Sequence, residues 1–188
     1  MRAASFVFAL LAFVACQPRP DLPKLYPVPP AQLVDETGKF VNLRSMHGSV
    51  TVYDFIFTRC SGTCPIMTNN MRALTVKVEK DAPVRFVSIS VDPATDTPER
   101  LKAWGAKFHA GDGWTFVTGN KPQVDELLRA LAASSARRED HSPTVLIGND
   151  ASGNWTRTYG LAKASQLVQI INDVMAGKTA TTTAETSN

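Results

Sequence analysis

Cys60 and Cys64 stand four residues apart with Ser61, Gly62 and Thr63 between them, close enough for both sulfurs to act on one atom. Two thiolates can hold a soft metal ion, or they can exchange with a disulfide as an attacking and a resolving sulfur. The residues between them make a tight polar turn. Pro65 suits a first helical turn, where its missing N–H costs nothing. Cys64 is therefore expected near a helix N-terminus, where the dipole and the free N–H groups favour an anion and lower a thiol pKa. Met67 and Met71 follow at helical spacing with Leu74 and Val78. Their thioethers suit soft metals, but a stripe at that spacing reads as core.

The elements on either side must position this pair. Residues 50–57 form an apolar run that reads as a buried strand, and the cysteines lie between it and the amphipathic helix. A second buried strand spans 84–91 and ends at Asp92-Pro93. Thr97 is a helix cap with Pro98 in the first turn, and that helix runs to about 108, where Gly111 and Gly113 break it. A short strand at 114–118, a helix from 121 to about 133 and a polar loop over 134–140 follow. His141-Ser142-Pro143 leads into a strand at 144–147, expected to turn at Gly148-Asn149-Asp150 and return through 155–159 before a helix at 163–175. Upstream, residues 31–43 read as a hairpin turning at Thr37-Gly38, and Met46-His47-Gly48 turns into the central strand. The alternation predicts an α/β fold with a mixed central sheet flanked by helices, in one domain over 31–177.

The chain has 188 residues, 44% of them hydrophobic and 20% charged, which suits a single core with ends attached. Its formal charge is only +3, and no basic cluster exceeds Arg137-Arg138, so the electrostatic footprint of a nucleic-acid binder is missing. Arg2 precedes an apolar run at 6–15 that is too short for a comfortable membrane span. Residues 1–15 read as a signal peptide, and the Ala12-Phe13-Val14-Ala15-Cys16 stretch resembles a bacterial lipoprotein processing site that would leave lipid on Cys16. Phe13 departs from the aliphatic residue usual there. Residues 16–30 are a Pro-rich tether, with prolines at 18, 20, 23, 27, 29 and 30. Residues 178–188 lack core-forming side chains and are expected to be disordered. With Cys16 consumed by lipid, one cysteine pair remains, and a loop that short gains little as a purely structural staple.

Three stretches carry a resemblance. Residues 54–65 (DFIFTRCSGTCP), residues 90–99 (SVDPATDTPE) and Asp140-His141-Ser142, in that order, are similar to the Sco/SenC family of thioredoxin-fold copper proteins, over roughly 34–175. The resemblance implies a thioredoxin-like domain that binds copper and supports assembly of the copper A centre of cytochrome c oxidase. It matches Cys60, Cys64 and His141 to the family's copper ligands. Asp92 and Asp96 match its acidic loop, although they also suit a turn and a helix start. Asp140 is placed to orient the imidazole of His141. Pro143-Thr144 before a strand departs toward ordinary thioredoxins, where a cis proline faces the redox cysteines; trans is the default for an X–Pro bond, and the sequence leaves the Ser142–Pro143 isomer open.

The donor set suits the implied cargo, because Cu(I) accepts two thiolates and an imidazole while leaving room for a recipient's ligand; Cu(II) remains open as well. Structural zinc would need a fourth ligand, and none is evident. His47 has no ligand spacing, and His109 reads as a cation at a helix C-terminus. The expected function is an exported metallochaperone delivering copper to an apo cuproprotein such as an oxidase subunit. It would be a monomer, tethered by lipid in a bacterial cell envelope and facing the periplasm or the cell exterior. The alternative is a thiol-disulfide oxidoreductase using the same two cysteines on an extracytoplasmic partner. Peroxidase chemistry on this fold needs a differently placed Thr and Pro before its cysteine than Thr58 and Arg59 supply.

Overall fold

The computed structural model describes residues 31–43, 50–78, 82–137, 140–149 and 152–177. The signal peptide, Cys16, the tether, the turn at 46–48 with His47, and the tail at 178–188 lie outside the described residues. Eleven elements follow in order: β1 (Leu33–Asp35), β2 (Phe40–Val41), β3 (Val50–Ile56), α1 (Thr63–Lys77), β4 (Val84–Ser90), α2 (Pro98–Lys107), β5 (Trp114–Gly119), α3 (Lys121–Ala130), β6 (Thr144–Asn149), β7 (Asn154–Tyr159) and α4 (Ala164–Met175).

The strands form one sheet in the order β2-β1-β5-β4-β3-β6-β7. β3, β4 and β5 run parallel, and β1, β2, β6 and β7 join antiparallel. This is the mixed, helix-flanked sheet of a thioredoxin-like domain. β3 is central and every one of its residues is buried, which is why its sequence reads as a continuous apolar run rather than an alternation. The pleat nevertheless divides it between two cores. Val50, Val52 and Ile56 face one layer with Met71 and Leu74 of α1, Leu101 and Trp104 of α2, and Leu167 and Ile171 of α4. Tyr53 and Phe55 face the other, with Val124, Leu127 and Leu131 at α3 and its C-terminal end. Met67 and Met71 are buried at 0% and 1% exposure, as core residues.

Thr97 caps its helix as read, and the structure adds a second cap at Asn120. The Thr97 hydroxyl accepts from the Arg100 N–H, and the Asn120 side chain accepts from Gln123 N–H, each satisfying a free donor of a helix first turn. Gly38 turns the β1–β2 hairpin at φ +82, a conformation that costs a glycine little. β6 runs through Gly148 to Asn149 instead of turning there. The reason is Trp155 on β7, whose ring lies across Gly148 so closely that a Cβ would sit 2.1 Å from it. That ring also stacks on Tyr53, with centroids 5.7 Å apart.

Candidate functional site

β3 delivers the chain to the C-terminal end of the parallel strands, and residues 57–62 turn it into α1. The Cys60 N–H closes this turn on the Phe57 carbonyl at 3.1 Å. Two acids from the loop after β4 grip it. The Asp96 carboxylate, fully buried, accepts from the Thr58 N–H at 3.1 Å, the Thr58 hydroxyl at 2.6 Å and the Ser90 hydroxyl at 2.7 Å. Asp92 accepts from the Arg59 guanidinium at 2.9 Å, while its carbonyl takes the N–H groups of Thr95 and Asp96. Both acids therefore shape their own turn and hold the cysteine loop. For a buried carboxylate such multiple donors are what makes the site affordable.

The two thiols differ sharply. Cys60 is partly exposed and Cys64 is fully buried. Burial raises the Cys60 pKa, but the N–H groups of Cys64 and Gly62, the Cys64 thiol and the Thr63 hydroxyl outweigh it, leaving the thiol below its ordinary value. Burial pushes the Cys64 thiol far up; a hydrogen bond from the Phe57 N–H opposes this, while Cys60 and Asp54 raise it further. This corrects the expectation that Cys64 is the acidic thiol. The free N–H groups of a helix first turn point forward out of the helix, so they serve the residue before it. Cys64 lies inside the turn and points into the core. Its N–H stabilises a thiolate on Cys60.

His141 is 6% exposed, and its Nε2 lies 3.7 Å from Cys64 Sγ and 3.1 Å from the Phe55 carbonyl oxygen. A carbonyl only accepts, so the Nε2 facing it carries the proton. The ring meets Phe57 edge-on, with centroids 5.6 Å apart. Asp140, next in sequence, is exposed and gives both carboxylate oxygens to Arg137, at 2.8 and 2.9 Å. That guanidinium holds the Asp140 carboxyl below its usual range. Phe55, not visible as a site residue in the sequence, supplies the backbone acceptor for the imidazole.

The open question of the Ser142–Pro143 isomer resolves as trans, because there is no cis peptide among the described residues. The trans form is the default for an X–Pro bond, and the local bonding uses it: Thr144 N–H reaches Ser142 O, and Pro143 O accepts from Gly160 N–H, both at 2.7 Å. The Gly160 carbonyl in turn takes the Asn70 amide of α1 at 3.0 Å. Pro143 thus belongs to a strut linking the His141 loop to the cysteine helix. Thr58, Asn70, Arg59 and Arg100 complete these supports, and their partners lie 33 to 90 residues away. No spacing rule reaches that far.

Cys64 lies 3.7 Å from His141 Nε2 and interacts with the Cys60 thiol, whereas His109, just after α2 with φ +55, belongs to no ligand grouping among the described residues. Among the described residues no three His, Cys, Asp or Glu side chains are gathered as a preformed metal cluster. The imidazole Nε2 is committed to Phe55, and Cys64 keeps its proton. A cleft of about 530 Å³ lies to one side, lined by Asp92, Lys121, Leu128, Arg129 and Arg137 rather than by the thiols. No helix among the described residues is long and apolar enough to cross a membrane.

Comparison with known proteins agrees with this arrangement. The SCO1/SenC family model matches residues 25–176. The SCO1 protein homolog of Bacillus subtilis is 32% identical over 186 residues, spanning 94% of this chain and 95% of that protein. The structure described as a disulfide switch in BsSco, a member of the Sco family of cytochrome c oxidase assembly proteins, superposes with TM-score 0.71 at 29% identity, over 81% of this chain and 95% of that one. Bradyrhizobium japonicum ScoI, solved with copper bound, shares the fold with TM-score 0.65 at 22% identity, over 78% and 98% of the two chains. The extent of the match and the paired cysteines at the strand-to-helix junction place the conclusion beyond a shared fold: this chain belongs to the SCO1/SenC family.

Proposed function

We propose that the protein is an exported copper metallochaperone that delivers copper to a respiratory cuproprotein such as the copper A centre of cytochrome c oxidase. Cys60, Cys64 and His141 are its ligands. The observation that carries this reading is the approach of His141 Nε2 to within 3.7 Å of Cys64 Sγ across 77 residues of chain. Two sulfurs and one nitrogen make a soft, low-coordinate set suited to Cu(I) and too small for structural zinc. A copper-bound ScoI and an oxidase-assembly relative on the same fold support the cargo and the recipient.

On this reading, loading makes three demands on the chain. Cys60, exposed and the more acidic thiol, meets the ion first. Cys64 then gives up a proton held by its burial, and the His141 imidazole leaves the Phe55 carbonyl and carries its ring proton on Nδ1 instead, freeing the Nε2 lone pair for the ion. Copper affinity should therefore rise with pH. Release to a recipient reverses these steps, with the Phe55 carbonyl and the buried thiol proton favouring the empty state. Asp92, Asp96 and Pro143 hold the two loops in place, and Asp140 anchors the approach to His141 through Arg137. The lipoprotein-type sequence around Cys16 and the prolines of 16–30 support a lipid-tethered monomer in a bacterial envelope, facing the periplasm or the exterior, with domain limits of 31–177.

The thiol-disulfide reading is favoured by one specific observation, the split between an accessible acidic Cys60 and a buried high-pKa Cys64. That is the division of labour between an attacking and a resolving sulfur. The deciding experiment is a competitive Cu(I) titration of the reduced chain carrying Cys16→Ala. One tight copper, lost in Cys60→Ser and Cys64→Ser and weakened in His141→Ala, supports the chaperone. Absence of tight copper, or indifference to His141, overturns that ligand set and leaves disulfide exchange as the function.

A further inference from the structure

Two guanidinium groups end on the turn that carries Cys60. Arg59 precedes that cysteine and bonds Asp92 at 2.9 Å while 47% of its side chain remains exposed. Arg100, in the first turn of α2, donates its Nε and Nη2 to Thr58 Oγ1 at 3.3 and 3.1 Å. The nearby acids face inward, with Asp92 and Asp96 at 6% and 0% exposure. The exposed Glu99 carboxylate is turned back on its helix start, where the Thr97 hydroxyl and its own N–H hold its pKa below the ordinary value. Among the described residues no carboxylate pairs with Arg100. Asp92 and Asp96 thus bury their charge, the exposed Glu99 carboxylate turns toward its helix start, and the Arg59 and Arg100 side chains face out on the turn that carries Cys60.

We propose that Arg59 and Arg100 form a cationic lip that selects acidic partners, specifically a protein segment whose cysteine is flanked by carboxylates. The proposal rests on the reading of Cys60 as the sulfur that meets the partner, and it names that partner's chemistry. Both side chains are pinned by hydrogen bonds, so little rotamer freedom is lost on docking. Exposed cations beside a reactive group also raise the encounter rate of anions, and salt weakens that steering.

The test uses two small disulfides of similar reactivity and different charge, dithiobis(nitrobenzoate), a dianion, and dithiodipyridine, which is neutral. In each case the Cys60 thiolate attacks one sulfur, the reagent S–S bond breaks, a Cys60 mixed disulfide forms and one aromatic thiolate or thione leaves, giving the absorbance that is read. Initial bimolecular rates are measured on the reduced full chain carrying Cys16→Ala. The readout is the ratio of the dianion rate to the neutral rate, divided by the same ratio for mercaptoethanol. Changes in the Cys60 pKa act on both reagents and cancel. At low salt the ratio should fall about threefold in Arg59→Gln and again in Arg100→Gln, the size expected for one unit charge several ångströms away in water. Arg100→Lys should restore it, and added salt should lower it in the parent chain. A ratio unchanged in both glutamine variants overturns the proposal. The copper titration is independent: its failure removes the chaperone reading, while a ratio that still responds to Arg100 supports the lip for an acidic disulfide partner.

Discussion

Replacing Asp54 with Asn should abolish a pH dependence of stability that originates inside the core. Asp54 lies on the α1 side of β3 with 0% exposure. Its Oδ1 accepts from the Ser88 hydroxyl, which itself takes the Trp114 indole N–H at 2.9 Å, while Oδ2 has no hydrogen-bond partner among the described residues. Burial, opposed by the Ser88 hydroxyl, raises its pKa from 3.8 to about 7. The folded state therefore holds this proton more tightly than the unfolded chain does. The stabilisation is complete below the unfolded value, near 4, and is lost as pH rises to about 7, because there the native state alone binds the proton. A shift of about three units corresponds to about 4 kcal/mol, a large share of the 5–15 kcal/mol that holds a typical domain. Urea unfolding of the reduced, chelator-treated chain between pH 4.5 and 8 measures it. The parent should lose about 3 kcal/mol relative to Asp54→Asn across that range, the rest of the effect lying below pH 4.5, so the variant is the more stable protein at pH 8. Cys60 titrates in both chains, and because Asp54 also raises the Cys64 thiol, the comparison is repeated on a Cys64→Ser background to remove that coupling. Parallel stability curves for parent and variant would refute the argument, since a buried carboxylate without a second partner cannot ionise freely.

The thiol asymmetry predicts that iodoacetamide at pH 7 labels Cys60 at least a hundredfold faster than Cys64, on the order expected from their opposite pKa shifts and exposure; peptide mapping by mass spectrometry reads the two sites, and equal labelling would contradict it. Asp96→Asn should cost about 2–4 kcal/mol by thermal unfolding, because a fully buried acceptor of three donors loses its charge-assisted bonds. It should also broaden the pH profile of Cys60 alkylation, as the turn at Thr58 loosens. Gly148→Ala should cost about 1–3 kcal/mol by displacing the Trp155 ring, the range for overpacking a rigid site; near-ultraviolet circular dichroism of the Tyr53–Trp155 stack should change with it, and an unchanged melting temperature would show that the ring moves aside freely.

Much of the architecture could be read because its causes are local. Thr97 announces a helix start, Gly38 a tight turn, and the 3.6-residue stripe of Met67, Met71 and Leu74 an inward face. The apolar run at 50–56 identified the central strand even though its two-sided burial erased the period of two. The resemblance in three ordered motifs pointed to Cys60, Cys64 and His141 together, and the SCO1/SenC match over 25–176 agrees with the family. The turn at Gly148 was misread because the residue is glycine for a distant reason, the Trp155 ring.

Chemical character was harder to read than position. Composition and spacing determined that two thiols would share a strand-to-helix junction, that the chain between them would be polar and tight, and that a histidine loop would enter a neighbouring strand. Only the tertiary structure decided which thiol the helix N–H groups serve, because that depends on the direction in which each side chain leaves the turn. It alone gave the imidazole to the Phe55 carbonyl and the Asp140 carboxylate to Arg137, and it kept the Ser142–Pro143 peptide trans. Those outcomes are competitions among partners 3 to 86 residues apart, settled by burial and hydrogen-bond geometry that no local spacing encodes.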